Sequence, residues 1–131
     1  MGKSADIVTG IYQAFAKGDV PAVLGAFDPA IVWCEAENSL LADRNPYQGP
    51  QAVAEGVFQR LMTIVDGFSL VPETVIDGGD TVVVQGRYRG KMKATGTHVH
   101  AQFAHVWQVR DGKIARFQQY TDTRQWAAAA G

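Results

Sequence analysis

Apolar residues recur at three- and four-residue spacing through the first part of the chain and at alternate positions through the last part, so the sequence predicts helices first and strands afterwards. Over residues 5–17, Ile7, Val8, Ile11, Tyr12 and Phe15 fall on one helical face, and Gly18 stops it. Asp19 is placed to cap a second helix with Val20 and Pro21 in its first turn, an apolar stripe of Val23, Leu24 and Phe27, and Asp28-Pro29 as its end. Ile31, Val32 and Trp33 read as a brief strand. The polar, turn-rich stretch that follows, residues 38–49, is long enough to count as a functional loop, and its residues 38–47 are expected to border the pocket mouth and move. Pro50 opens a third helix whose stripe is Val53, Val57, Phe58, Leu61, Ile64 and Val65.

Strand-like segments then occupy residues 68–76, 81–93, 97–110 and 113–122. They are separated by Gly78-Gly79-Asp80, Thr95-Gly96 and Asp111-Gly112, which are hairpin signals and imply an antiparallel sheet. Helices followed by hairpin-linked strands is the α+β pattern. The alanine-rich tail, residues 125–131, is expected to fray. The reading is one domain over residues 1–131.

Alternation assigns the strand faces. Val99, Ala101, Phe103, His105 and Trp107 share a side that must meet the helices, which places an imidazole among apolar neighbours. His105 is then either a core histidine bonded to a neighbouring strand or part of a site. Phe117, Gln119 and Thr121 form the corresponding face of the last strand, so an inward Phe117 brings Gln119 into the same interior. If Trp33 points inward, Glu35 follows it, and a carboxylate against apolar walls is a proton-transfer candidate. Glu37 shares that face but is expected in solvent. Val82, Val84, Gly86 and Tyr88 make another inward set, where Gly86 leaves room for a ligand or a bulge and Tyr88 adds a hydroxyl. Arg87, Arg89, His98 and His100 fall outside with Val83, Val106, Gln118 and Tyr120, a mixed face suited to a homodimer interface.

Composition narrows the classes without choosing among them. Apolar residues make up 47% and charged residues 19%, ordinary for a folded domain, and the formal charge of -1 with no basic run argues against a nucleic-acid partner. A single cysteine, Cys34, allows neither an internal disulfide nor a Cys-rich zinc site. No apolar run approaches the roughly 18 residues of a membrane span, and the first residues lead directly into a charged amphipathic helix, so a cytoplasmic setting is expected. No phosphate loop or metal cluster is apparent, and no cofactor is expected.

Four motifs add a resemblance: Phe15-Ala16-Lys17-Gly18-Asp19 closing the first helix, Val32-Trp33 in the first strand, Tyr47-Gln48-Gly49 before the third helix, and Arg110-Asp111-Gly112-Lys113-Ile114 in the last hairpin. In order and spacing, over nearly the whole chain, they resemble the nuclear transport factor 2-like superfamily, and within it SnoaL-like and ketosteroid-isomerase-related proteins. The resemblance implies a cone-shaped, cystatin-like α+β barrel, a strongly bent sheet wrapped around the N-terminal helices with a ligand cavity in its mouth. By position, Glu35 lies where ketosteroid isomerases hold an aspartate base, and His105 where they hold the protonated aspartate of the oxyanion hole. Ile11 lies where they have a tyrosine, and Tyr12, one position off, is expected to point elsewhere. Gln119 matches the catalytic aspartate of SnoaL-like cyclases and limonene-epoxide-hydrolase-like enzymes, and Gly86 and Tyr88 match the hydrolase's helping arginine and aspartate. Each of those mechanisms thus lacks a group here.

Two functions follow as expectations. One is an isomerase or lyase in which Glu35, His105 and Gln119 work on an apolar carbonyl compound bounded by Trp33, Tyr88, Phe103, Trp107, Phe117, Tyr47 and Tyr12. The other is a non-catalytic binding protein for an apolar small molecule.

Overall fold

Gly18, at φ 70, ends the first helix where the periodicity places its stop. The computed structural model describes residues 2–131, and Met1 lies outside the described residues. Helix α1 spans Lys3–Ala16, and its buried Ala5, Val8, Ile11 and Tyr12 form the stripe facing the sheet. Helix α2, Val20–Gly25, is capped by the Asp19 carboxylate, which accepts a hydrogen bond from the Ala22 backbone N–H at 3.2 Å.

Strand β1 runs Phe27–Cys34 and therefore contains Asp28-Pro29, which were expected to end the helix. Pro29 is tolerated because the ladder to the last strand is interrupted between Phe27 and Val32. A 3-10 turn, Ala42–Arg44, and the short strand β2, Tyr47–Gln48, interrupt the following loop. Residues 50–64 are helical in three parts: α3 (Pro50–Val53), a π turn (Ala54–Phe58) and α4 (Gln59–Ile64).

Strands β3 (Val65–Gly78), β4 (Thr81–Met92), β5 (His98–Arg110) and β6 (Lys113–Thr121) complete a six-stranded curved sheet in the order β2-β1-β6-β5-β4-β3. Its pairings are antiparallel except one: β1 lies parallel to β6, with Trp33 opposite Phe117. The antiparallel expectation fails there because hairpin signals report only neighbours in sequence, whereas this pair closes across the whole chain. Two register shifts bend the β3–β4 pair, between Asp66 and Ser69 and between Pro72 and Thr74.

Gly86 sits at the second of these bends. The space its missing side chain leaves is taken by the Val71 carbonyl and the Phe103 ring, whose Cζ lies 2.6 Å from where a Cβ would stand. Of the two uses expected for Gly86, a ligand or a bulge, the glycine serves the bulge. The tail is likewise not frayed: α5, Thr123–Ala130, is capped by Asp122, buries Ala129 and packs Trp126 against the core. The concave face of the sheet and helices α1 to α4 share a core built from Val8, Ile11, Val23, Val53, Val57, Val82 and Val84, among others. On the convex face, Arg89, His98 and His100 are exposed, and no group of three potential metal ligands occurs among the described residues. Among the described residues no helix is long and apolar enough to cross a membrane.

Candidate functional site

Alternation along β5 and β6 sets His105 directly opposite Gln119, and His105 is also paired across β4 with Val84. Both His105 and Gln119 point to the concave side and are buried, as is Glu35 just past the end of β1, at 4%, 7% and 6% exposure. All three line one cavity of about 90 Å³, several times the roughly 10–15 Å³ that a single water requires. Tyr12, Trp33, Tyr88, Trp107 and Phe117 also line it, so eight of the ten candidate residues meet there.

The other two do not. Tyr47 is buried beside the cavity, its ring lying on the backbone of Gly56 and its hydroxyl donating to the Leu41 carbonyl, so it props the 38–49 loop from behind. Phe103 fills the Gly86 bend and stacks on His105 at 4.0 Å between ring centroids, backing the imidazole without reaching the cavity. Tyr12 corrects the opposite way. It was expected to point elsewhere, yet its hydroxyl lies 2.6 Å from His105 Nδ1, because the buried stripe of α1 is wide enough to include Ile11 and Tyr12 together.

The polar part of the cavity is one connected network. Trp107 Nε1–H donates to the Tyr12 hydroxyl at 2.9 Å, and Tyr12 reaches His105 Nδ1. The Tyr88 hydroxyl lies 2.5 Å from His105 Nε2, and Gln119 Nε2–H donates to that hydroxyl at 2.6 Å. Both ring nitrogens are thus occupied, and His105 has none free for a ligand. Burial holds the His105 pKa down, to about 3, with the Gln119 amide pulling weakly the other way, so the imidazole is neutral. Burial also pushes the Tyr12 and Tyr88 hydroxyls up, which leaves both as protonated donors.

Glu35 sits in the same apolar surroundings with a single side-chain partner among the described residues. Trp33 Nε1–H donates to its Oε2 at 2.8 Å, and burial outweighs that bond, raising the carboxyl to about 7. Its charge is felt at Tyr88, which ties the carboxylate electrostatically to the network. Its backbone is clamped by Asn45: the Glu35 N–H donates to Asn45 Oδ1 at 2.9 Å and Asn45 Nδ2–H donates to the Glu35 carbonyl at 2.8 Å. A side-chain amide here takes the part of a neighbouring strand just where β1 runs out. Asn45→Ala is therefore expected to cost about 1–3 kcal/mol and to let the Glu35 carboxyl move back toward the ordinary carboxylate range. Denaturant unfolding and a carboxyl-carbon NMR titration check the two effects.

Sequence reasoning missed Asn45 as a positioning residue, and missed several wall residues. Leu61 and Ile64 come from the helical stripe already visible in residues 50–64, and Leu40 and Leu41 from the loop. Leu40 is also exposed, so this loop carries the cavity lining to the protein surface. Asp43 in the same loop is held by Arg60 of α4 through two bonds of 2.9 and 3.0 Å. Trp126 had no signal beyond being a lone aromatic in an alanine-rich tail.

A bent sheet closed by N-terminal helices over one apolar cavity defines the nuclear transport factor 2-like class of fold. Within it, this chain belongs to the SnoaL-like domain family, whose profile matches residues 8–117. It is similar over its full length to a nuclear transport factor 2-like protein of Burkholderia thailandensis, at 35% identity, 100% coverage of this chain and 99% of that one, and a TM-score of 0.95. A protein of unknown function from Burkholderia pseudomallei matches at 25% identity, 99% and 98% coverage and a TM-score of 0.90. TerC, co-crystallised with polyporic acid, matches at 25% identity, 98% coverage of both chains and a TM-score of 0.86. No curated protein matches the chain.

Proposed function

We propose that this protein moves a proton at the carbon next to a carbonyl in a small, mostly apolar substrate, as an isomerase or lyase. The observation that carries this reading is the pairing, in one apolar cavity, of a carboxyl poised near neutrality with a set of neutral hydroxyl donors. Glu35 as carboxylate takes the proton, and the electron pair of the broken C–H bond moves onto the carbonyl oxygen. A tyrosine hydroxyl meets the negative charge developing there. The protonated Glu35 then returns the proton to a different carbon, giving an isomer, or the electron pair expels a group one carbon further on, giving a lyase. His105 acts through the tyrosines, since its own nitrogens are occupied.

The similarity to TerC, crystallised with polyporic acid, supports a small-molecule ligand in the shared fold. The test is deuterium incorporation from D₂O into acetophenone and related apolar ketones, followed by NMR. Incorporation above the buffer rate supports proton transfer; binding without incorporation reduces the protein to a binding module.

We also propose that the convex face pairs two copies of the chain. Tyr120 is 56% exposed there beside the partly covered Val83 and Val106, and such a mixed surface suits an interface. Light scattering at micromolar concentration should give twice the chain mass, and a monomer mass would end the idea.

A further inference from the structure

The hydrogen-bond network in the cavity does not balance on its own, and the imbalance describes a ligand. Three protons belong to its centre: one on each tyrosine hydroxyl and one on the neutral His105 ring. Only two positions need them, between Tyr12 and Nδ1 and between Nε2 and Tyr88. Trp107 and Gln119 both donate inward, to Tyr12 and Tyr88 respectively, so neither takes up the third proton. With the Gln119 amide turned as it stands here, Nε2–H toward Tyr88, one tyrosine spends its proton on the ring in either His105 tautomer and the other keeps a donor to spare.

One acceptor is also left over. Gln119 Oε1 is buried with no hydrogen-bond partner among the described residues, although Gln119 lines the cavity and its Nε2 is engaged with Tyr88. An unpaired buried amide oxygen is costly unless something pairs with it. The spare donor and the spare acceptor belong to one connected network on one cavity wall.

We infer that the ligand is a hydroxy-carbonyl compound whose carbonyl oxygen accepts the spare tyrosine proton and whose neighbouring hydroxyl donates to Gln119 Oε1. A simple ketone satisfies only the first contact, and a diketone presents two acceptors to a site that needs one. This inference rests on the reading of the cavity as a carbonyl site and adds the hydroxyl. It makes Gln119, a residue unable to exchange a proton, the group that selects substrate.

The experiment compares four probes on the full chain by calorimetry: acetophenone, phenacyl alcohol, the methyl ether of phenacyl alcohol, and phenyl methyl diketone. Phenacyl alcohol is expected to bind about tenfold more tightly than each of the other three. In Gln119→Met the ratio between phenacyl alcohol and acetophenone should fall to within about twofold. Equal binding of the alcohol and its methyl ether in the wild type would overturn the inference, as would a preference for the diketone, a preference that survives Gln119→Met, or no binding of phenacyl alcohol at millimolar concentration. The wild-type comparison stands by itself if the variant does not fold. Deuterium incorporation is followed in parallel: a preference for the alcohol without incorporation keeps the ligand class and removes the proton-transfer reading, and incorporation without the preference does the reverse.

Discussion

Glu35→Gln is expected to lower proton exchange into a bound ketone by about 10²- to 10⁴-fold, the usual range for losing a positioned general base. Glutamine keeps the shape and can still meet the Trp33 indole N–H, so the loss isolates the proton-accepting function. The pH dependence has a definite sign. Catalysis needs the carboxylate, and burial has raised the carboxyl to about 7, so the wild-type rate should climb with pH and level off above that value. His105 adds no limb near neutrality, because burial holds it neutral down to about 3. An exchange rate unchanged in Glu35→Gln, or a wild-type rate flat from about pH 5 to 9, would remove Glu35 from the mechanism.

The second large effect is on stability. Glu35 is raised from 4.5 to about 7 in the folded chain, so the folded state holds the extra proton between those values. The stability this contributes is fully present below about 4.5 and is lost as pH rises to about 7, about 3 kcal/mol in all. His105 is lowered from 6.5 to about 3, and its contribution has the opposite slope: present above about 6.5 and lost as pH falls toward about 3. The two slopes overlap through the mildly acidic range and offset each other there. Glu35→Gln removes one of them. The free energy of unfolding of the variant, relative to wild type, should therefore increase as pH rises from about 4.5 to 7, by about 3 kcal/mol. Urea titrations at a series of pH values measure this, and a difference between the two proteins that stays constant with pH would show that Glu35 titrates normally.

How much of this was legible before the structure depended on the kind of geometry involved. Strand alternation is rigid, so placing Trp107 inward also placed His105, and Phe117 brought Gln119 with it. Trp33 carried Glu35 in the same way. Helical phase is less decisive: Ile11 and Tyr12 are both buried, and only the contact with His105 shows which one serves the cavity. Contacts distant in sequence left no local trace. The parallel pairing of β1 with β6, the clamp of Asn45 on Glu35 and the packing of Trp126 from the tail each depend on segments that meet only after folding. The family resemblance supplied the overall shape but misdirected Tyr12, because position-by-position transfer assumes the same helix phase.

Trp33, Trp107 and Trp126, the three tryptophans of the chain, all line the same cavity. Indole fluorescence from this protein consequently originates entirely at the walls of its candidate site, with no contribution from a remote emitter to dilute the signal. A conjugated ligand entering the cavity would quench every emitter at once, and an unconjugated one would shift their emission by displacing solvent. The unlabelled protein is therefore its own optical sensor, and a library of small molecules can be screened against it by intrinsic emission alone, before any reaction has been assigned.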